Sequence, residues 1–368
     1  MAIGLAKIHF AEQSLGLSPS AHFISAPDVT ITRNSRRWRQ GFGYGGQVSW
    51  DPTIAVLDAK PNGCGMLVGR LDKLPDEREV RQADTQLAHG AIELDGVSLE
   101  YDLGESNHFV DVCELEETLA TDIEQPLPEN IFVIHSSGHE HRSSSPYGPG
   151  LYYDESDELS RIRTVIETPW GSLSILQGDT AVQYHQQCLN VQSFNQRRRA
   201  LYGRKLFGDF ETVCNATHQG MRTPGVFQLG CYHFDDTHTL FPLTLGPDQP
   251  VYLLRPRPNY APEVIEALGW HDRAQQLGLS ETLHAANLLP HGGGYAYPQF
   301  KNLIDWKRDG EEARRYTVEN VQGSHQSFTQ IRDLPFAYRD SSVLEKMLEL
   351  QMADIVARYR IRFILKNQ

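Results

Sequence analysis

The sequence has no apolar stretch long enough to cross a bilayer and no N-terminal pattern typical of a secretory signal. It also has no internal repeat, heptad array or low-complexity block, which excludes solenoids and coiled coils. Cysteine is scarce: five residues, an odd number, are scattered over 368 positions, unlike the dense even set of a small secreted scaffold. We therefore expect a soluble cytoplasmic protein with reduced thiols and no membrane association.

Positive charge is also in short supply. The chain has 34 lysines and arginines against 47 acidic residues, a formal net charge of -13 that repels nucleic acid at long range. Any RNA site must then be a local basic patch, and the best candidate is a basic arginine-rich loop near 33–46, which contains Arg33, Arg36, Arg37, Trp38 and Arg39. Such runs are often solvated loops or linkers, so RNA contact and a plain surface loop both remain open.

Short β-type runs recur along the chain and are separated by Gly, Pro and Asp clusters rather than by regular helices. They predict strands at 53–57, 65–68, 92–99, 130–135, 162–167, 173–177, 251–255 and 358–365. This pattern indicates an irregular α+β fold and disfavours a doubly wound sheet. The 40% hydrophobic content suffices for one large domain or two average ones.

Three segments have helical character. They are 187–205, with a basic side at Arg197, Arg198 and Arg199, a short helix that begins at Ser280, and 342–357, with apolar residues at helical spacing. The stretch 140–153 is rich in Ser, Gly, Pro and His and predicts an exposed loop.

Histidine is abundant, with 15 residues, and several stand beside glycines or at predicted strand ends. Cys64 lies between two glycines, a setting that lets the backbone approach whatever the sulfur binds. His108 follows Asn107, His135 ends an apolar run, His218 follows Asn215-Ala216-Thr217, and His291 opens His291-Gly292-Gly293-Gly294. Each histidine taken alone is more often structural than catalytic.

Taken in order, these elements resemble a family. A Cys-Gly-Met segment, Asn-His-Phe, a strand ending His-Ser, a basic helix, a later His, a His-Gly-x-Gly turn and a terminal Lys follow one another as in the RtcB RNA ligases, from about Gly41 to Lys366. The resemblance implies one RtcB-like catalytic domain over 1–368, an α+β fold with mixed or antiparallel sheets around a buried metal site. It also implies GTP-dependent joining of RNA 3'-phosphate or 2',3'-cyclic phosphate ends to 5'-hydroxyl ends, as in RNA repair and tRNA splicing.

The resemblance also implies roles for individual residues. Two Mn²⁺ ions would be bound, and His291 would become covalently guanylylated by GTP. Thiolate and imidazole bind zinc more tightly in general, so the purified protein could carry Zn²⁺. The implied metal ligands are Asp58, Cys64, His108, His135 and His218, and the implied nucleotide-binding residues are Asn107, His291, Gly293 and Lys366.

The chain departs from the family at three places. Pro61 stands where the family has an aspartate, and Asp58 serves instead if residues 59–61 are a local insertion. Tyr295 replaces an arginine, and residues 245–250 replace a serine-rich segment that contacts phosphates. His139 and His141 interrupt another motif and are either surface residues, which we favour, or extra metal donors.

These departures leave alternatives to ligation. One is a metal-dependent phosphoesterase acting on RNA ends, and another is a catalytically silent homologue that binds RNA ends. The retained His291 and Lys366 favour the ligase, whereas Pro61 and the segment with Pro247 and Asp248 favour the others.

Overall fold

The computed structural model describes residues 1–123, 126–309 and 313–366, apart from the side chains of residues 308, 309, 313 and 314. Its α-helices are α1 Ala2–Ser14, α2 Ser35–Gln40, α3 Glu77–His89, α4 Asp157–Ile162, α5 Asp179–Phe207, α6 Pro262–Ala267, α7 His271–Gln276, α8 Ser280–His284 and α9 Ser342–Glu349. Short 3-10 helices span Leu57–Ala59 and Ile331–Asp333.

The strands follow in chain order. They are β1 His22–Thr30, β2 Tyr44–Ser49, β3 Ile54–Val56, β4 Gly65–Leu71, β5 Glu93–Leu94, β6 Val97–Ser98, β7 Phe109–Thr118, β8 Asn130–Ser136, β9 Thr164–Ile166, β10 Leu173–Gln177, β11 Glu211–Thr217, β12 Gln219–Thr223, β13 Val226–Leu229, β14 Cys231–His233, β15 Phe241–Thr244, β16 Val251–Pro256, β17 Leu288–Pro290, β18 Tyr295–Ala296, β19 Phe300–Asp309, β20 Ala313–Asn320, β21 His325–Phe328, β22 Ala337–Tyr338 and β23 Ala353–Leu365.

A seven-stranded antiparallel sheet, in the order β11-β4-β8-β7-β23-β16-β15, organises the fold. Its edge strands β11 and β15 come close to each other, so the sheet is nearly closed. All of β8 is buried. Its alternate residues point to opposite faces of the sheet, and an apolar cluster covers each face. Ile131 and Val133 join one apolar cluster, and Phe132 and Ile134 join another. The continuous apolar run at 130–135 is therefore a strand covered on both faces.

The long helix α5 packs against the sheet on the side of Phe132. Phe132 stacks on Phe207 of α5 with ring centroids 4.4 Å apart. A Cβ at Gly203 would lie 2.8 Å from the Phe210 ring, so glycine permits this close approach. A smaller sheet, β1-β2-β13-β12, contributes Val48 and Phe227 to a separate apolar cluster.

Most of the predicted strands are confirmed. The structure is α+β, and every pairing between the strands given above is antiparallel, as expected for a fold that is not doubly wound. The segment 92–99 is a hairpin of β5 and β6, because Asp95 and Gly96 both have positive φ, 52° and 74°, as a tight two-residue turn requires. The segment predicted as an exposed loop, 140–153, contains neither helix nor strand, but it is not exposed throughout, because His141, Leu151 and Tyr152 are buried.

Three predictions of local structure need correction. The helix predicted at 342–357 ends at Glu349, and Ile355 and Val356 belong to β23, which is paired with β16 and β7 on its two sides. Two-sided pairing therefore outweighs the helical spacing of these residues. The segment 33–46 is not a loop, because Asn34 caps α2 by accepting a hydrogen bond from the Arg37 backbone, and β2 begins at Tyr44. The helix predicted at 187–205 is longer, and spans Asp179–Phe207.

Within the part of the chain described above, no helix combines the length and the apolar character needed to cross a membrane.

Candidate metal centre and its cavities

Four of the five predicted metal ligands meet at the ends of neighbouring strands. Cys64 directly precedes β4, His108 precedes β7, His135 is the penultimate residue of β8, and His218 lies between β11 and β12. Cross-strand pairing brings them together, because Met66 and Phe109 both pair with His135. The backbone N–H of His218 donates to the carbonyl of Cys64 over 2.9 Å. All four side chains are buried.

The spacing of the donor atoms fits metal coordination. Cys64 Sγ lies 3.5 Å from His135 Nε2, and His135 Nε2 lies 3.2 Å from His218 Nε2. Tetrahedral zinc bond lengths give edges of about 3.6 Å between sulfur and nitrogen and about 3.3 Å between nitrogens. These three residues form a group whose ligand atoms all lie within 4.8 Å of one another. His135 Nδ1 is 2.8 Å from the Asn107 carbonyl, a contact that leaves Nε2 for a metal.

His108 extends the group on the other side of the sulfur. Its Nε2 is 3.4 Å from Cys64 Sγ, again a ligand–ligand spacing, and its Nδ1 is 2.9 Å from a carboxylate oxygen of Asp102. Asp102 in turn accepts from Arg198 of α5 over 2.8 Å. Cys64 could therefore bridge two ions, one with His135 and His218 and one with His108.

Electrostatics favours a thiolate at Cys64. Burial alone would raise the pKa of this thiol, but adjacent His135 and His108 hold it well below its usual value. Burial would lower the pKa of His108, yet Asp102 and Cys64 raise it to about 10. Burial and neighbouring imidazoles hold the pKa of His218 well below its usual value. A deprotonated sulfur and neutral imidazoles are the forms that bind metal, so His108, whose raised pKa keeps it protonated at neutral pH, must release its proton when it binds an ion.

Asp58, the fifth predicted ligand, is not in this group. It is fully buried, but one carboxylate oxygen accepts from the Tyr153 hydroxyl over 2.6 Å and the other from the Ser174 backbone over 2.8 Å. Both oxygens are thus used to join the 3-10 turn at 57–59 to other segments. The carboxylate that contacts His108, a neighbour of the Cys64 sulfur, is Asp102. Sequence reasoning missed Asp102 because no motif surrounds it.

His291 lies next to the metal-ligand group. Its ring centroid is 4.3 Å from that of His218. Its Nδ1 is 2.8 Å from Oδ2 of Asp28, a fully buried carboxylate of β1. An Nδ1–H donated to Asp28 leaves the Nε2 lone pair available as a nucleophile. Asp28 is 263 positions away in sequence, so no local pattern reveals it.

A cavity beside His291 contains all four residues predicted to bind a nucleotide: Asn107, His291, Gly293 and Lys366. The space between its walls, including the open solvent at its entrance, is about 720 Å³. A Cβ at Gly293 would come within 2.7 Å of the carbonyl oxygens of Leu245 and Arg339, so only glycine fits there. The segment with Leu245, Gly246 and Pro247 forms part of the wall, as expected.

Asp111 is a second residue that sequence reasoning missed. It lines the same cavity, its exposed fraction is 4%, and Lys366 is its cationic neighbour. Burial raises the pKa of this carboxyl to about 8 despite the attraction of Lys366. The available signal was a charged residue at an otherwise apolar position of the strand that follows Asn107-His108-Phe109.

A second cavity reaches the same centre and is lined by Cys64 and His108. Its cationic wall residues are Arg33, Arg37, Arg142 and Arg332, against one carboxylate, Glu105. Asn107, Tyr44, Tyr295 and Tyr338 line both cavities. The two cavities therefore adjoin at the metal-ligand group.

The predicted basic patches are largely structural. Arg37 is buried and donates to the carbonyls of Ala59 and Lys60, and Arg36 pairs with Asp154. On α5, Arg198 and Arg199 are fully buried, whereas Arg197 is exposed and pairs with Asp95. Arg33 and Arg37 nevertheless line the second cavity, so RNA contact by this segment stays a prediction, whereas Arg198 and Arg199 of α5 are buried inside the protein.

His139 and His141, the two histidines that interrupt a family motif, lie in different environments. His139 lines the second cavity with its ring centroid 6.0 Å from that of His108. His141 is fully buried against Phe194, and its Nδ1 contacts the Ser145 hydroxyl, so the expectation of a surface residue is wrong for it.

Comparison of the sequence with protein-family models and with curated proteins gives no match.

Replacement of the metal-ligand residues should empty the site. We expect Cys64→Ser, His135→Ala and His218→Ala to weaken metal binding at least about tenfold, because each removes a direct donor. Cys113→Ser, at another buried thiol, should keep its metal, and so should Asp58→Asn. Elemental analysis after dialysis measures occupancy. Full occupancy in both Cys64→Ser and His135→Ala would contradict the assignment.

The raised pKa of Asp111 should appear in stability. A carboxyl whose folded pKa is about 8 is held protonated by the fold, so the wild type loses stability as pH rises from about 4 to 8. Asp111→Asn lacks this loss. The melting temperature of Asp111→Asn minus that of wild type should therefore rise over this range, to at least about 2 °C, and level off above pH 8. A difference independent of pH would show that Asp111 ionises normally.

Proposed function

We propose that this protein is a metal- and GTP-dependent RNA ligase of the RtcB type, with one catalytic domain over 1–368. The observation that carries the proposal is the position of His291, a buried imidazole oriented by Asp28 and set between the Cys64–His135–His218 group and a cavity that contains Lys366. An oriented nucleophile beside a metal site is the arrangement that nucleotidyl transfer needs.

In the first step, His291 takes GMP from GTP. Nε2 attacks the α-phosphorus, a P–N bond forms, the bond to the bridging oxygen breaks, and pyrophosphate leaves. Asp28 holds the Nδ1 proton throughout and stabilises the positive charge that develops on the ring. Bound Mn²⁺ supplies Lewis acidity toward phosphoryl oxygens. The missing side chain of Gly293 lets the turn after His291 pack against the carbonyls of Leu245 and Arg339 at the cavity wall.

Asp111 and Lys366 would select guanine. Guanine binding would release the proton that burial keeps on Asp111, and the resulting carboxylate accepts hydrogen bonds from both the N1–H and the N2 amino group of guanine while a lysine donates to O6. Adenine has neither donor in those positions. A carboxylate and a lysine at one wall of the cavity thus match guanine and no other common base.

The RNA ends would enter through the second cavity. Its arginines offset the chain's overall negative charge where a terminal phosphate must approach Cys64 and His108. A 3'-phosphate oxygen attacks the phosphorus of His291-GMP, which frees the imidazole. The 5'-hydroxyl then attacks the activated 3'-phosphorus, a 3',5'-phosphodiester forms, and GMP leaves. A 2',3'-cyclic phosphate is first opened by water.

The number of metal-ligand residues limits how tightly a second ion could bind. Cys64, His135 and His218 form a three-ligand group, whereas a second ion would have Cys64 and His108, because Asp58 binds elsewhere. We therefore propose a tight site and a weaker second manganese site that share the thiolate.

One observation favours a second function. Pro247 stands in the wall of the His291 cavity where a hydroxyl donor would bind phosphate, which weakens the case for GTP. The metal group and the basic cavity do not depend on that wall. A phosphoesterase, or a silent protein that binds RNA ends, would keep them and lack guanylylation.

Guanylylation depends on His291. Incubation of the protein with Mn²⁺ and radiolabelled GTP should give an acid-labile protein–GMP adduct. His291→Ala should form none, yet keep near-normal metal content, because His291 is not one of the metal ligands. Its melting temperature should fall, because the buried Asp28 carboxylate loses its imidazole partner. His284→Ala is the control. An adduct that persists in His291→Ala would move the chemistry elsewhere, and no adduct in the wild type would favour the phosphoesterase or the silent protein.

Base selectivity depends on Asp111. We expect Asp111→Asn to lower labelling by GTP about 10- to 100-fold, because an ionic hydrogen-bond pair is lost. Labelling by xanthosine triphosphate should fall less or rise, since an amide donates to its C2 carbonyl. Asp235→Asn, at an exposed carboxylate, is the control. Equal loss for both nucleotides would argue against base recognition by Asp111.

A further inference from the structure

An exposed aromatic cluster stands at the mouth of the basic cavity. Tyr295, Phe336 and Tyr338 form it, with ring centroids 5.0 to 5.6 Å apart. The exposed fractions of Phe336 and Tyr338 are 38% and 41%, unusual for large rings that have neighbours to pack against. Pairing of β18 with β22 sets Tyr295 opposite Tyr338, so the cluster is built on strands rather than on a loose loop.

Arginines surround the rings. The Arg33 guanidinium carbon lies 4.0 Å from the centroid of Phe336 and 5.9 Å from that of Tyr295, which is cation–π geometry. Arg33 also donates to the Leu334 carbonyl over 3.2 Å, which fixes it beside the cluster. Arg332 lines the same cavity and donates toward the Arg33 carbonyl. Arg33 thus covers part of the Phe336 ring, and both arginines adjoin the partly exposed aromatic cluster along one wall of the cavity.

The cluster also has a defined position relative to the metal-ligand group. Phe336, Arg33 and Arg332 line the cavity that contains Cys64 and His108. Tyr295 and Tyr338 also line the cavity of His291. A strand bound on the rings would thus lead directly to the centre where the two cavities adjoin.

We infer that the partly exposed Phe336 ring forms a stacking platform for a base of single-stranded RNA, with the perpendicular Tyr338 ring beside it and Arg33 and Arg332 at the phosphates of the strand. Aromatic rings bind any base through its π-face, and interleaved arginines bind the backbone, so this pairing of groups is typical of single-strand sites. A protein partner would not need the cations, and duplex RNA has no free base faces to offer. The proposal names the substrate class of the site described under the proposed function and rests on it.

A binding assay separates the platform from the chemistry. The probe is a single-stranded RNA with a 3'-phosphate and 2-aminopurine at the penultimate position, titrated with the full-length protein and Mn²⁺ in the absence of GTP. Stacking should quench 2-aminopurine fluorescence in the wild type. Phe336→Ala should bind roughly 5- to 100-fold more weakly and lose the quench, whereas Phe336→Tyr should restore both. Trp306→Ala, at an exposed ring on β19, is the matched control.

An abasic residue at the probe position tests stacking itself. It should weaken wild-type binding by a similar factor but barely affect Phe336→Ala, because the partner ring is already gone. Equal losses from the abasic residue in both proteins, or an unchanged quench in Phe336→Ala, would overturn the platform. A wild type that forms the GMP adduct but shows neither quench nor abasic penalty overturns the platform alone. Absence of the adduct with a Phe336-dependent quench overturns ligation and supports the platform.

Discussion

The pairing of buried charges around Cys64 is the constraint on which the rest of the site depends. The sulfur is almost inaccessible to water, yet its pKa is held well below normal, so it is an anion that needs a cation beside it. His108 provides this charge, Asp102 holds His108, and Arg198 holds Asp102. Charge thus alternates from the sulfur to α5, and removal of one member leaves another buried and unpaired.

This chain of charges explains why the centre sits at the ends of strands. β4, β8 and β7 are adjacent, so residues at their ends converge without any loop having to be ordered for the purpose. The interior of β8 is fully apolar, whereas its end carries His135, beside Cys64 and His108 at the starts of β4 and β7. Because α5 packs against the sheet, Arg198 lies at the same edge. The next residue, Arg199, donates a hydrogen bond to the Asn215 side chain of β11. Sheet register and helix position therefore fix the donor distances together.

The sequence predicts the metal-ligand residues better than it predicts the buried carboxylates around them. Cys64, His108, His135 and His218 could be selected because each stands in a local motif or at the end of an apolar run. Asp28, Asp102 and Asp111 could not, since their roles arise from pairings between distant strands or from burial, which no local pattern records. Asp58 was expected at the centre as a replacement for the aspartate that the RtcB family has at the position of Pro61, whereas the 3-10 turn directs it toward Tyr153 and Ser174. The helix predicted at 342–357 extended too far for the same reason. Residues 353–357 are part of β23 because this strand pairs with β16 and β7, which are distant in sequence.

Two of the three departures from the RtcB pattern predicted from the sequence, Tyr295 and the segment that begins at Leu245, fall on cavity walls, where another element can supply charge. Tyr295 takes the place of an arginine, yet the Arg33 guanidinium lies 5.9 Å from its ring, so a cation reaches this wall from a segment before α2. Asp248 is not among the described residues that line the His291 cavity, although Pro247 is. An acidic chain can thus keep a locally basic cavity, because the field near a phosphate depends on the few charges within about 10 Å and not on the net charge. Substitutions on the walls alter what is bound, whereas the ionisable groups facing inward, from Cys64 to His291, decide what chemistry is possible.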